Sequence, residues 1–150
     1  MANYSTDTDL QKIRSTIMNL GVDDWSDFHT SAKTAIDNDL EVKWYRKASV
    51  QSGYDWRFTP YDATLLLNSA TQLLDLSCYK TLFLIYRYLA QDTTIEQDAY
   101  GQQRAYWSRQ YDKELERVVE RGLDYDWNES GEINSWEKSI ERPARRIKRI

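Results

Sequence analysis

Residues 126–137 read Asp-Trp-Asn-Glu-Ser-Gly-Glu-Ile-Asn-Ser-Trp-Glu. Asp126, Asn128, Ser130, Glu132, Asn134 and Glu137 therefore fall at positions 1, 3, 5, 7, 9 and 12 of a twelve-residue stretch, with Gly131 at position 6. That spacing suits calcium chemistry. Side chains at positions 1, 3 and 5 converge on the ion, position 7 offers its backbone carbonyl, and the glycine lets the chain reverse. Glu137 would close the sphere with two oxygens. Only Asp126 and Glu137 bring charged side-chain ligands, so the expected calcium affinity is weak. Ser130 is uncharged where Asp or Asn is commoner, Pro143 shortens any exit helix, and no second loop of this kind is present. The stretch reads as an EF-hand-like structural loop rather than a sensor. An ordinary acidic turn would use the same residues.

Other reactive side chains have blander readings. His29 lies near Asp24, Asp27 and Asp37 in sequence and is expected on a polar helix face. Cys78 falls on an apolar stripe and is expected to be a buried small hydrophobe. A single cysteine excludes an internal disulfide and a thiolate-rich zinc site. The pairs Asp23/Asp24 and Asp37/Asp39 read as helix-start charges and a solvated face. The five glycines stand alone, so no phosphate-cradling loop is visible. No nucleophile and base can be paired, and the expectation is a protein that is not an enzyme. Six Trp, eleven Tyr and three Phe are more informative, because several fall in expected loops. Such rings are enriched at protein interfaces, and Tyr54, Trp56 and Phe58 are the candidates for subunit contact.

The elements that must position these groups read as helices. Thr6-Asp7-Thr8-Asp9 supplies an N-cap and first-turn carboxylates, and Leu10, Ile13, Ile17 and Leu20 recur at helical spacing up to Gly21. A second helix starts at Asp24 or Ser26 and carries Phe28, Ala32, Ile36, Leu40 and Trp44. Residues 48–59 lack a helical period while Tyr54, Trp56 and Phe58 alternate, which predicts an irregular loop or a short hairpin. Thr59-Pro60 predicts a helix start. Apolar stripes over 60–91 predict one long helix or two, with the core centred on Leu66, Leu67, Leu73, Leu82, Ile85 and Leu89. A last helix ends near Gly122 with Tyr100, Trp107, Tyr111, Leu115, Val118 and Val119 inward. The expected fold is all-α: a small bundle of four to five helices over 1–122, an acidic loop segment over 123–140, and an extended basic tail over 141–150.

At 150 residues, 41% hydrophobic and 29% charged, the chain is long enough for a real core and is neither disordered nor fibrous. No apolar run approaches the roughly 20 residues that span a bilayer, and no secretory signal is visible at the N-terminus. Charge is unevenly placed. Residues 141–150 carry a net +4, leaving −8 on the other 140 residues to reach the overall −4. An acidic body with a basic end suggests that the end meets something acidic.

Taken in order, these features resemble the small head–tail connector proteins of tailed bacteriophages, also called adaptor, neck or head-completion proteins. The resemblance rests on the opening TDTDLQKI, a helix ending in WYRK (44–47), the apolar stretch 59–90, the Tyr-rich AYWSRQYDKELERVV (105–119), the acidic DYDWNESGEINSWEK and the basic ERPARRIKRI. It implies a non-enzymatic virion protein at the head–tail interface, assembled in the host cytoplasm as a homo-oligomeric ring, typically of twelve copies. Its partners would be the portal protein and a tail or tail-terminator protein, with DNA only passing through the channel and no membrane. It also implies that the C-terminal segment docks on the portal through Arg142, Arg145, Arg146, Ile147, Lys148, Arg149 and Ile150. The alternatives are a soluble EF-hand-like calcium-binding interaction protein and, behind it, a nucleic-acid-binding module using the basic tail.

Overall fold

A computed structural model describes residues 3–20, 22–91 and 97–132. Among these the fold is all-α, as the periodicity predicts, with one isolated antiparallel bridge and no strand. Helix α1 (Asp7–Ile13) starts where the acids predict: the Asp9 carboxylate accepts the Thr6 backbone N–H at 2.9 Å. It ends earlier than expected. Arg14 is extended, and Ile17–Asn19 form only a single 3₁₀ turn. Trp25, wholly buried, donates its indole N–H to the Ile17 carbonyl at 3.1 Å and so ties this turn to the core.

Helix α2 (Ser26–Leu40) buries Ala32, Ile36 and Leu40, and it buries His29 as well. It runs into one wide π-turn, Glu41–Tyr45, and then into α3 (Arg46–Ser52). The extra residue in a π-turn rotates the register. Two consecutive rings in it, Trp44 and Tyr45, are both buried in the core, at 2% and 1% exposure. The expected loop at 48–59 is thus helical through Ser52, and no hairpin forms. Ala48 and Ser49 are buried, and the true stop is Gly53, at φ +90°. Only 53–59 is irregular, with the Phe58 and Thr59 amides returning to the Asp55 carbonyl.

Thr59-Pro60 does not start a helix. Asp62 caps a 3₁₀ turn, Ala63–Leu65, and Leu66 then bridges to Tyr125. Helix α4 (Ser69–Gln72) is one turn, and the long helix α5 begins only at Leu74, running to Gln91. The expected helix over 60–91 is therefore its second half alone. Local extension makes neighbouring side chains point oppositely. Leu66 is buried at 6% exposure, whereas Leu67, expected in the core, is 38% exposed. Leu73, Leu82 and Ile85 are fully buried and Leu89 is half-buried.

Helix α6 (Gln97–Arg121) makes the largest helix–helix contact, against α5, and α2 also packs on α5. Its inward stripe is Trp107, Tyr111, Leu115 and Val118, as the spacing predicts, and Gly122 ends it at φ +85°. Two apolar clusters result. One joins Leu10, Ile17 and Trp25 to Cys78, Leu82 and Ile85. The other joins Trp44 and Tyr45 to Leu66, Leu115, Tyr125 and Trp127. Leu123, Tyr125 and Trp127, expected in a separate acidic segment, belong to this second cluster.

Leu82→Ala should cost about 2–5 kcal/mol in chemical denaturation, because its side chain is fully enclosed. Leu67→Ala should stay within about 0.5 kcal/mol of the parent. Equal losses at the two positions would contradict this packing.

Candidate functional site

The chain leaving α6 is tied across the crossover before α5. The Leu67 amide donates to the Asp124 carbonyl at 3.0 Å and the Asp126 amide to the Leu65 carbonyl at 2.9 Å. The Asp62 amide donates to the Tyr125 hydroxyl at 3.1 Å, and the Tyr45 hydroxyl donates to the Thr59 carbonyl at 2.7 Å. Asn68 and Asp124 add a side-chain hydrogen bond. This stitching drives Trp127 between two rings: it stacks on Tyr45 at 5.5 Å and on Tyr54 at 5.7 Å between centroids. Trp44 tilts against both Trp127 and Tyr125. Burial pushes the Tyr45 and Tyr125 phenols above their ordinary range, so both stay protonated.

From this anchor the oxygen-rich loop begins. Asp126 is only 3% exposed. One of its carboxylate oxygens accepts the Ser130 amide at 3.0 Å and the other accepts the Gly131 amide at 2.7 Å. The Asn128 side-chain oxygen accepts the same Ser130 amide at 3.1 Å, and the Ser130 hydroxyl lies 3.1 Å from the Glu132 carbonyl. Gly131, at φ +88°, makes the reversal. The Ser130 hydroxyl also lies 3.4 Å from the first of these Asp126 oxygens, so the side chains of Asp126, Asn128 and Ser130 gather on this turn. Asp126, Asn128, Ser130 and the Glu132 carbonyl are the groups that would hold a calcium ion, which would supply only cohesion to the loop. Asn134 and Glu137, the remaining expected ligands, lie outside the described residues. Among the described residues no three His, Cys, Asp or Glu side chains converge, so charge for an ion in this half comes from Asp126 alone.

His29 is not the surface residue expected from its polar neighbours. It is 2% exposed, with Nδ1 at 2.8 Å from the Ser5 hydroxyl and Nε2 at 3.0 Å from Asp7. Asp7 can only accept, so Nε2 carries the proton and Nδ1 accepts from Ser5. The Ser77 hydroxyl stands 2.7 Å from that of Ser5, and Thr81 borders the imidazole. The order hydroxyl–imidazole–carboxylate resembles a nucleophile and its base, but Ser5 is 3% exposed and its oxygen is shared with Ser77. Its evident work is to join α1, α2 and α5. Burial depresses the His29 pKa below its ordinary value, against the smaller opposing pull of Asp7.

The other carboxylates expected on a solvated face are also engaged. Asp37 accepts from Tyr4 and Lys33, and Asp39 accepts from Tyr111. Cys78 is buried as expected, and desolvation pushes its thiol up to about 12. Tyr54 and Trp56 are half-buried against the core, Trp56 beneath the Arg46 guanidinium at 4.3 Å, whereas Phe58 is 82% exposed. Arg142, Arg145, Arg146, Ile147, Lys148, Arg149 and Ile150 lie outside the described residues. The signal missed in the sequence was Tyr125 and Trp127, spaced by two around Asp126, a period-2 hint of extended backbone.

No known protein family, curated protein or solved structure matches this chain. No helix among the described residues is long and apolar enough to cross a membrane.

Two measurements check this geometry. Because the folded state resists protonating His29, the unfolded chain takes up more protons below about pH 6.5 and stability falls as pH drops through that region. His29→Gln, which removes the titrating group, should lose less stability between pH 7.5 and 5.5 than the parent; identical pH slopes would count against a buried neutral imidazole. For the loop, Asp126→Ala should cost about 1–3 kcal/mol without added calcium, since two amides lose their acceptor. Calorimetry should show weak calcium uptake that Glu137→Gln removes, and equal heats from the two proteins would leave only an acidic turn.

Proposed function

We propose that this chain is a structural neck protein of a tailed bacteriophage, forming a ring between portal and tail and docking on the portal through its C-terminal end. The observation that carries the reading is the split of charge: a body of net −8 ahead of a ten-residue end of net +4. Phosphate backbones are bound by Lys and Arg. An acidic body therefore suits a channel wall past which DNA slides, while the basic end suits an acidic protein groove. Arg can pair there bidentately with carboxylates, and Ile147 and Ile150 supply apolar contact. A ring presents many such ends together, which raises effective concentration even where each contact is modest. The rigid helical body and the exposed Phe58 ring beside Tyr54 and Trp56 support a role in assembly.

The convergence of the Asp126, Asn128 and Ser130 oxygens favours the second reading, a calcium-binding interaction protein. The two readings part on size. A ring former associates with itself or with portal in calcium-free buffer, whereas a calcium-dependent partner does so only on adding the ion.

Deleting 142–150 should leave the helical spectrum unchanged while abolishing attachment to portal, as read by electron microscopy of the mixture. Normal attachment by the truncated protein would move docking to the aromatic surface around Phe58.

A further inference from the structure

We propose that an aromatic cavity beside Trp127 receives this chain's own Arg142-Pro143-Ala144-Arg145 segment in an extended, polyproline-like form. The cavity measures about 210 Å³, and Tyr45, Tyr54, Pro60, Tyr125 and Trp127 supply its apolar wall. Trp127 is 5% exposed, and its indole N–H has no hydrogen-bond partner among the described residues. Aromatic rings and a proline on a cavity wall suit a polyproline-type backbone, which is stiff and presents its proline as an apolar ridge.

The rim selects what flanks that proline. Asp62 and Glu129 both border the cavity, and neither forms an ion pair among the described residues. Hydrogen bonds from Thr64 fall on one oxygen of Asp62 and leave the other for a ligand. The preferred segment is therefore extended, contains proline and carries basic side chains on either side.

This chain contains one such segment. It has two prolines; Pro60 is part of the cavity wall, and Pro143 stands between Arg142 and Arg145. Reach permits the contact within one molecule. Glu129 already borders the cavity, and from Glu132, where the described chain stops, Pro143 is eleven residues on. Eleven residues extend at most about 36–40 Å, ample to return to a site three residues behind the starting point. Tethering also raises the local concentration of the segment over that of any copy in dilute solution. Seating Arg142–Arg145 leaves Arg146–Ile150 as a short, aimed basic end. The proposal does not rest on the neck reading; with both in force, Arg146–Ile150 alone would meet the portal.

The test uses the full chain labelled with nitrogen-15, its Trp127 indole signal assigned through bonds from its own backbone amide. A nitroxide is attached at Ala144→Cys; Cys78 is 2% exposed and does not compete for the label. The expected result is loss of the Trp127 indole signal, restored on reducing the nitroxide. It should persist on dilution into excess unlabelled protein and disappear in Arg142→Glu/Pro143→Ala/Arg145→Glu, changes that leave the helical body untouched. An indole signal unaffected by the nitroxide overturns the proposal. So does loss seen only when the nitroxide and the nitrogen-15 label are on different molecules, which would make the occupant a second copy's tail.

Discussion

The short pairing of Leu66 with Tyr125 governs much of this fold, because it joins segments that the helices alone would leave apart. Two backbone hydrogen bonds, Leu67 to Asp124 and Asp126 to Leu65, close a loop containing all of α5 and α6. Closing so long a loop is entropically costly, and two hydrogen bonds do not offset it unaided. The compensation is aromatic. Once Tyr125 and Trp127 are brought to the crossover, they pack on Trp44, Tyr45, Tyr54 and Tyr61, most of whose surface leaves water together. Pairing and ring packing thus depend on each other.

The π-turn at Glu41–Tyr45 is the matching device on the other side. Trp44 and Tyr45, its last two residues, both lie in the core, and the cluster uses both rings. Elsewhere in the body, His29 performs a polar version of the same task. Its imidazole links Ser5 and Asp7 from the N-terminal segment to Ser77 and Thr81 on α5, so a buried polar group is partnered and three elements are held in register.

Functional character follows from what those locks leave outside. Asp126 is both the last anchored residue of the body and the first oxygen of the acidic loop, so any ion held there stiffens the exit toward the C-terminal end. Residues 1–140 carry a net −8 and the last ten a net +4, so the sign of the charge reverses just beyond this loop.

The sequence by itself determined the all-α class, the inward stripes of α2 and α6, the buried Cys78 and the glycine reversal at 131, because each rests on local periodicity or local backbone freedom. It was misleading at Thr59-Pro60, at the supposed loop from 48 and at His29. There the local signals were honest but outweighed: Leu66 is extended because Leu65 and Leu67 on either side pair with Asp126 and Asp124, and His29 is buried because Ser5, Asp7 and Ser77 converge on it from distant parts of the chain. Trp127 shows the division most clearly. Its type and its place beside Asp126 marked it as a loop ring, yet only the pairing of 65–67 with 124–126 put it between Tyr45 and Tyr54. Contacts between residues so far apart in sequence leave no local period, and their energies exceed the propensities that a single sequence displays.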